Sequence, residues 1–215
     1  MNKDLLASTA VFAEMANANT DLKKIINEFI ICIYTIENKL SLDSNEIRNG
    51  LAKHYDFDIP EVIIRTQLHQ LEKEGVIEKI KGKYTISLEV KSSKNSLLDE
   101  LEIKRTHQNQ LIDELVKYVE FRKGKLSDSE KAKLISSFSE YLFDTNGDEY
   151  SGLVSAFIIK REDDINFMNE LNLIREGITI LKGIQYSEDF NDFSTWKNEL
   201  TIYLDTEHLF LTSAH

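Results

Sequence analysis

The stretch LDSNEIRNGLAKHYDFDIPEVIIRTQLHQLEKEGVIEKIKGKYTISL, residues 42–88, decides how the chain is read. It holds two helix starts, a glycine stop and a hairpin turn, in that order. Asp43 stands three residues before Glu46, the spacing of a capping box, and Ile47, Leu51 and Tyr55 then recur on one helical face. Asp58 and Glu61 repeat the spacing, with Pro60 in the first turn, where its missing N–H costs nothing. Each cap is worth about 1 kcal/mol, so both helix starts are specified locally rather than left to packing. In the second helix Ile64, Leu68 and Leu71 share a face, and Gly75 can adopt the left-handed backbone that ends it. Past Gly75 the period changes from helical to alternating. Residues 76–80 and 83–88 flank Lys81-Gly82, a pair suited to a tight turn, and Tyr84, Ile86 and Leu88 fall on one side.

A further helix is predicted in front, over residues 21–37. Leu22, Ile25, Ile26, Phe29, Ile30 and Ile33 make its stripe; Ile31, Cys32 and Ile36 extend the apolar surface nearly all round. Such a helix must be buried on more than one side, which predicts a helical partner or self-association. With this order of elements, and with LHQLEKEGVIEKIKGKYTI (residues 68–86) as the closest piece, the chain resembles the winged-helix superfamily over about a third of its length. The resemblance implies a mainly α fold: a winged helix-turn-helix with a small β-hairpin over residues 20–90, followed by helices.

Composition sets bounds on the class. The chain has 215 residues, 41% of them hydrophobic, with one proline and a net charge of −11. That length allows one large domain or two small ones. A single cysteine, Cys32, rules out an internal disulfide framework and fits a core position in a reducing, cytoplasmic setting. The apolar runs 29–36 and 152–159 are less than half the ~20 residues needed to span a bilayer, and Asp4 and Glu14 interrupt the N-terminal stretch as a signal peptide. No membrane partner is expected. The charge is uneven: residues 20–90 carry 10 Lys/Arg against 12 Asp/Glu, whereas residues 91–215 carry 15 against 23. The acid lies downstream of the winged-helix segment.

Residues 1–19, rich in Ala, Asn and Ser with apolar spacing at Leu5, Leu6, Val11 and Phe12, read as an N-terminal helical arm, either packed on the first domain or used for dimerisation. Residues 91–96, polar and aperiodic, read as a linker, and residues 97–200 as an all-helical domain. Leu97, Leu101, Leu111, Leu115 and Val119 support a long helix to about residue 123, although its middle, IKRTHQNQ, is weakly apolar enough to predict a break. Ser127 and Glu130 form another capping box ahead of Leu134, Ile135, Phe138, Tyr141 and Leu142. Asp144, Asn146 and Asp148 imitate a calcium loop, but Glu149 replaces the required glycine and Ser155 the bidentate glutamate, so Asn146-Gly147 is better read as a helix stop. TIYL at 201–204 is β-branched and aromatic, a short C-terminal strand.

Two constellations carry chemistry. On the 59–74 helix, an inward Ile64, Leu68 and Leu71 puts Val62, Thr66, His69, Gln70 and Lys73 outward with Arg65 on the shoulder, while Glu61 and Glu72 fall to one side. Lys79, Lys81 and Lys83 cluster at the hairpin, where a wing meets phosphates. This predicts a neutral-to-basic surface binding DNA or RNA, provided neither the chain's own residues nor glutamates occupy it. The competing reading is a solvated helix on a module used for protein contacts. Separately, YLDTEHLF (203–210) resembles the opening strand of PIN-like nucleases. That likeness implies Asp205 as the first carboxylate of a Mg²⁺ or Mn²⁺ site, completed by residues past 215 in a truncated domain starting at residue 201; no cofactor is expected within these 215 residues. The five histidines show no metal-ligand spacing and no glycine-rich phosphate loop occurs. The reading is therefore the nucleic-acid-binding regulatory region of a larger, PIN-like nuclease protein, catalytically incomplete as given. The alternatives are a non-enzymatic homo-oligomeric scaffold and a stand-alone transcription regulator.

Overall fold

The computed structural model describes residues 4–18, 20–92, 95–142 and 149–185. These are mainly helical, with one small antiparallel sheet. The sequence's local signals account for the first half. Helix α1 (Asp4–Asn17) is followed by α2 (Leu22–Ile36), whose N-cap Asp21 accepts a hydrogen bond from the Lys23 amide. The chain then forms β1 (Ser41–Leu42), α3 (Ser44–Tyr55), α4 (Glu61–Lys73) and the hairpin β2 (Ile77–Ile80) and β3 (Lys83–Ile86). β3 lies between β1 and β2 and pairs antiparallel with both, Leu42 opposite Tyr84 and Ile77 opposite Ile86.

The Asp43–Glu46 box is complete: the Glu46 amide donates to Asp43 at 2.8 Å, and the Asp43 amide donates to the Glu46 carboxylate at 3.0 Å. Gly75 is left-handed, with φ +72°, and the Val76 amide closes the end of α4 on the Leu71 carbonyl at 2.9 Å. Lys81 and Gly82 both have positive φ, the pairing that a type I′ hairpin turn demands.

Two local expectations fail for stated reasons. Asp58 does not cap α4; the N-cap is Pro60, with no side-chain bond to the helix. Phe57 and Ile59 are plugged into the core at 1% exposure. Alternation along this extended segment turns Asp58 outward, where it meets Arg48 at 3.1 Å. Leu88 likewise leaves the Tyr84 and Ile86 side of the hairpin, because β3 ends at Ile86 and Leu88 opens a short helix, α5 (Leu88–Ser92), as an exposed residue.

Beyond it come α6 (Asn95–Lys123), α7 (Asp128–Leu142), α8 (Ser151–Ile159) and α9 (Ile165–Gln185). Helix α6 is continuous through its polar middle. Lys104 there reaches Glu14 of α1 at 2.7 Å and Glu170 of α9 at 3.2 Å, so this part of the helix is tied to two others while Thr106, His107, Asn109 and Gln110 face outward. Helix α1 packs within the chain: Leu6, Ala7, Ala10, Val11, Phe12 and Ala13 are all buried, against α9 and α6 above all. Val11 and Phe12 join the core beneath α2–α4 and the sheet, while Leu6 and Ala10 join the core of α6–α9. With α1, α3, α4, α5 and α6 around it, α2 finds its helical partners within the chain. The surplus apolar surface that argued for self-association is thereby covered. Cys32 is buried and takes no part in a disulfide. No helix among the described residues is long and apolar enough to cross a membrane. The calcium-like loop positions Asp144, Asn146 and Asp148, the strand at 201–204 and Asp205 lie outside the described residues.

Candidate functional site

The outer face of α4 is built by subtraction. Ile63, Ile64, Gln67, Leu68 and Leu71 turn into the core, which leaves Val62, Arg65, Thr66, His69, Gln70 and Lys73 exposed, the face the helical wheel predicts. The hairpin stands beside it, held by its pairing with β1 and by further bonds to α2 and the segment before β1. Tyr34 of α2 donates its hydroxyl to the Tyr84 carbonyl at 3.1 Å, and the Ile86 amide donates to the Leu40 carbonyl at 2.9 Å. Burial pushes the Tyr34 hydroxyl above its ordinary pKa, so it stays protonated and able to donate.

Between α4 and the hairpin lies an open cleft of about 460 Å³, lined by Ser44, Arg65, His69, Glu72, Lys79, Gly82 and Tyr84. A shallower depression continues along α4 over Glu61, Val62, Arg65, Thr66 and His69. The cleft thus joins Arg65 and His69 of the helix to Lys79 of the hairpin. Lys79 sits opposite Tyr84 in the sheet, its ammonium 5.1 Å from the ring centre. Lys81 is exposed at the turn, and neither it nor Lys73 is ion-paired among the described residues. Thr66 donates its hydroxyl to the Val62 carbonyl one turn back at 2.8 Å, leaving its methyl group and lone pairs outward.

The face is less basic than the sequence predicts. Glu61 bonds Arg65 at 2.6 Å, Glu72 lies 3.6 Å from His69, and Gln70 donates to Glu74 at 2.8 Å. The acids assigned to the side of the helix reach onto its front, because i,i+3 and i,i+4 neighbours share a face. Lys83 is likewise engaged, at 3.2 Å from Glu46. Over residues 61–86 five Lys/Arg still face four Glu, so this region stays near neutral within a chain of net charge −11.

Sequence reasoning missed three contributors. Ser44 and Tyr84 line the cleft, although the sequence reading gives Ser44 no role and places Tyr84 only on one side of the hairpin. Glu46 is the third: besides capping α3 it binds Lys39 at 2.9 Å and Lys83, tying the turn end of the hairpin to α3. The Asp43 amide first, then the Lys39 ammonium, hold its carboxyl down at about 2. Nothing in the local spacing signals a pair 37 residues apart. Among the described residues no cluster of His, Cys, Asp or Glu could hold a metal ion. Compared with protein-family models, curated proteins and solved structures, the chain gives no match.

Proposed function

We propose that residues 42–86 form a winged helix-turn-helix that binds duplex DNA, with α4 in the major groove and the hairpin as a wing on the phosphate backbone. The observation supporting this reading is the uncovered cleft that aligns Arg65 and His69 of α4 with Lys79 of the hairpin. A B-form major groove about 12 Å wide admits a helix of this kind, whereas that of A-form RNA does not. Arg65, Thr66, His69, Gln70 and Lys73 would face base edges and flanking phosphates; Lys79, Lys81 and Lys83 would meet the backbone. Glu61 and Glu72 do line this surface, against the condition that the sequence reading set, so binding requires each carboxylate to give up its cation to a phosphate. Exposed ion pairs are worth about 1 kcal/mol or less, so Arg65 and Lys83 can exchange a glutamate for a phosphate at small cost.

The engaged carboxylates also favour a second reading, a module that docks protein and repels nucleic acid. Fluorescence anisotropy with duplex DNA at several salt concentrations separates the two. DNA binding predicts a log–log salt slope of about −0.9 per phosphate neutralised. Replacing Lys79, Lys81 and Lys83 together by alanine should flatten that slope by roughly two to three. Glu61→Gln and Glu72→Gln should each tighten binding, since each removes a competitor for a cation. Absence of binding at low salt, or a slope indifferent to the lysines, leaves the protein-docking reading. Asp205 as the opening carboxylate of a divalent-metal nuclease site rests on its sequence context, and requires further Asp- or Glu-bearing strands encoded downstream.

A further inference from the structure

We infer that a groove between the C-terminal turns of α6 and α8 is a separate docking site, and that it takes an acidic peptide segment anchored by one aromatic side chain. The groove, of about 340 Å³, is lined by Glu114, Lys117, Tyr118, Phe121, Phe157, Lys160 and Arg161. It stands apart from the DNA-facing cleft. Leu101 of α6 belongs to the core shared with α2–α4, and Phe121 lies twenty residues further along the same helix, roughly 30 Å away at 1.5 Å per residue.

Three features define what fits. First, Phe121 is 90% exposed, the most exposed large apolar side chain among the described residues. Second, the floor is aromatic: Tyr118 and Phe157 pack with ring centres 5.4 Å apart, and Phe157 meets Phe167 edge-on at 5.7 Å. Third, the rim is cationic. Arg122 and Lys160 lie 4.4 and 5.5 Å from the centre of the Tyr118 ring. Arg161 is committed to Glu114 and to Asp164. Lys117 and Lys160, by contrast, pair with no carboxylate among the described residues, although residues 91–215 carry a net charge of −8. The Tyr118 hydroxyl is buried without a hydrogen-bond partner.

Cations at helix C-termini complement the helix dipole, which accounts for Arg122, Lys123 and Lys160 but not for an exposed phenylalanine beside them. Lys117 and Lys160, two ammonium groups without a carboxylate partner among the described residues, stand around an aromatic hollow and fit carboxylates flanking one apolar anchor. Single-stranded nucleic acid would also answer the charge, yet such sites stack successive bases on several open rings. Here Tyr118 carries the two cations, Phe157 is 4% exposed, and only Phe121 offers a free face.

The test uses the full chain and a fluorescein-labelled peptide holding one tryptophan between two pairs of aspartates. The peptide should bind with an affinity that falls with salt, and its asparagine counterpart should bind at least about tenfold more weakly. Phe121→Ala, and Lys117→Glu combined with Lys160→Glu, should each cost about tenfold or more while leaving the thermal midpoint unchanged, because these side chains are exposed. Lys79→Glu on the hairpin should leave peptide binding as it is. The inference is overturned if the peptide does not bind, if the asparagine peptide binds equally, or if the variants make no difference. It is overturned also if oligothymidylate or anionic vesicles bind instead and lose that binding on the same substitutions.

Discussion

Gly177 shows how tightly single positions are specified. A methyl group there would sit 2.0 Å from the Thr9 carbonyl oxygen, so α9 passes α1 at a distance only glycine permits. Glycine inside a helix ordinarily costs up to about 1 kcal/mol relative to alanine. Gly177→Ala should nevertheless destabilise by roughly 1–3 kcal/mol, since backbone must move to relieve the overlap. Gly152, also helical but with nothing within 4 Å, is the control: Gly152→Ala should raise the thermal midpoint while Gly177→Ala lowers it. Glu46 is specified by charge. Its folded carboxyl is held at about 2 against an ordinary 4.5, so its contribution is complete above pH 4.5 and is lost as pH falls towards 2. Glu46→Gln should therefore be less stable than the parent at neutral pH in urea titrations, with the gap closing as the pH drops through that window. A gap constant with pH would mean that the carboxylate acts through packing alone.

Among the elements, those whose ends are written in local chemistry were legible in the sequence. The two boxes that form, Asp43–Glu46 and Ser127–Glu130, have their partners three residues apart, and in both the reciprocal bonds close even though Lys39 and Lys83 also reach Glu46. Asp58–Glu61 has the same spacing and fails, because burial of Phe57 and Ile59 fixes the direction of the chain between them. Tertiary packing outranks a cap worth about 1 kcal/mol. The contrast is measurable: Asp43→Ala and Ser127→Ala should each cost about 1 kcal/mol, whereas Asp58→Ala should stay within roughly 0.5 kcal/mol, losing only an exposed pair with Arg48. Equal losses at all three would show that Asp58 caps α4 in solution. The same limit explains α6, whose polar middle looks like a break until Glu14 and Glu170 are brought to Lys104 from 90 residues before and 66 after. It explains the cleft as well. The wheel places Arg65 and His69 outward, but only the hairpin's position against α4 reveals that Lys79 joins them.

At the scale of the whole molecule, the short first helix carries more than its sequence announces. Helix α1 sets the small residues Ser8, Thr9 and Ala10 between Leu6 and Val11, and small side chains are what allow α9 to approach as closely as it does at Gly177. Through Val11 and Phe12 it closes the core under the sheet, where Phe12 packs on Phe29 and Phe57 with centroids 5.9 and 5.8 Å apart. Through Leu6 and Ala10 it closes the core of the downstream helices. Full burial of Leu6, Val11 and Phe12 corresponds to roughly 5–9 kcal/mol, at about 1.5–3 kcal/mol each. That is comparable to the entire 5–15 kcal/mol that typically separates a folded domain from its unfolded chain. Deleting residues 1–17 should therefore abolish the cooperative thermal transition seen by circular dichroism and leave a protein that elutes as aggregate. A peripheral role would give another result: a truncated chain that stays folded and melts near the parent, with only its oligomeric state altered. Because both cores draw on one helix, the cleft between α4 and the hairpin and the aromatic groove should be lost together on that deletion, whereas substitutions at either surface should leave the other intact.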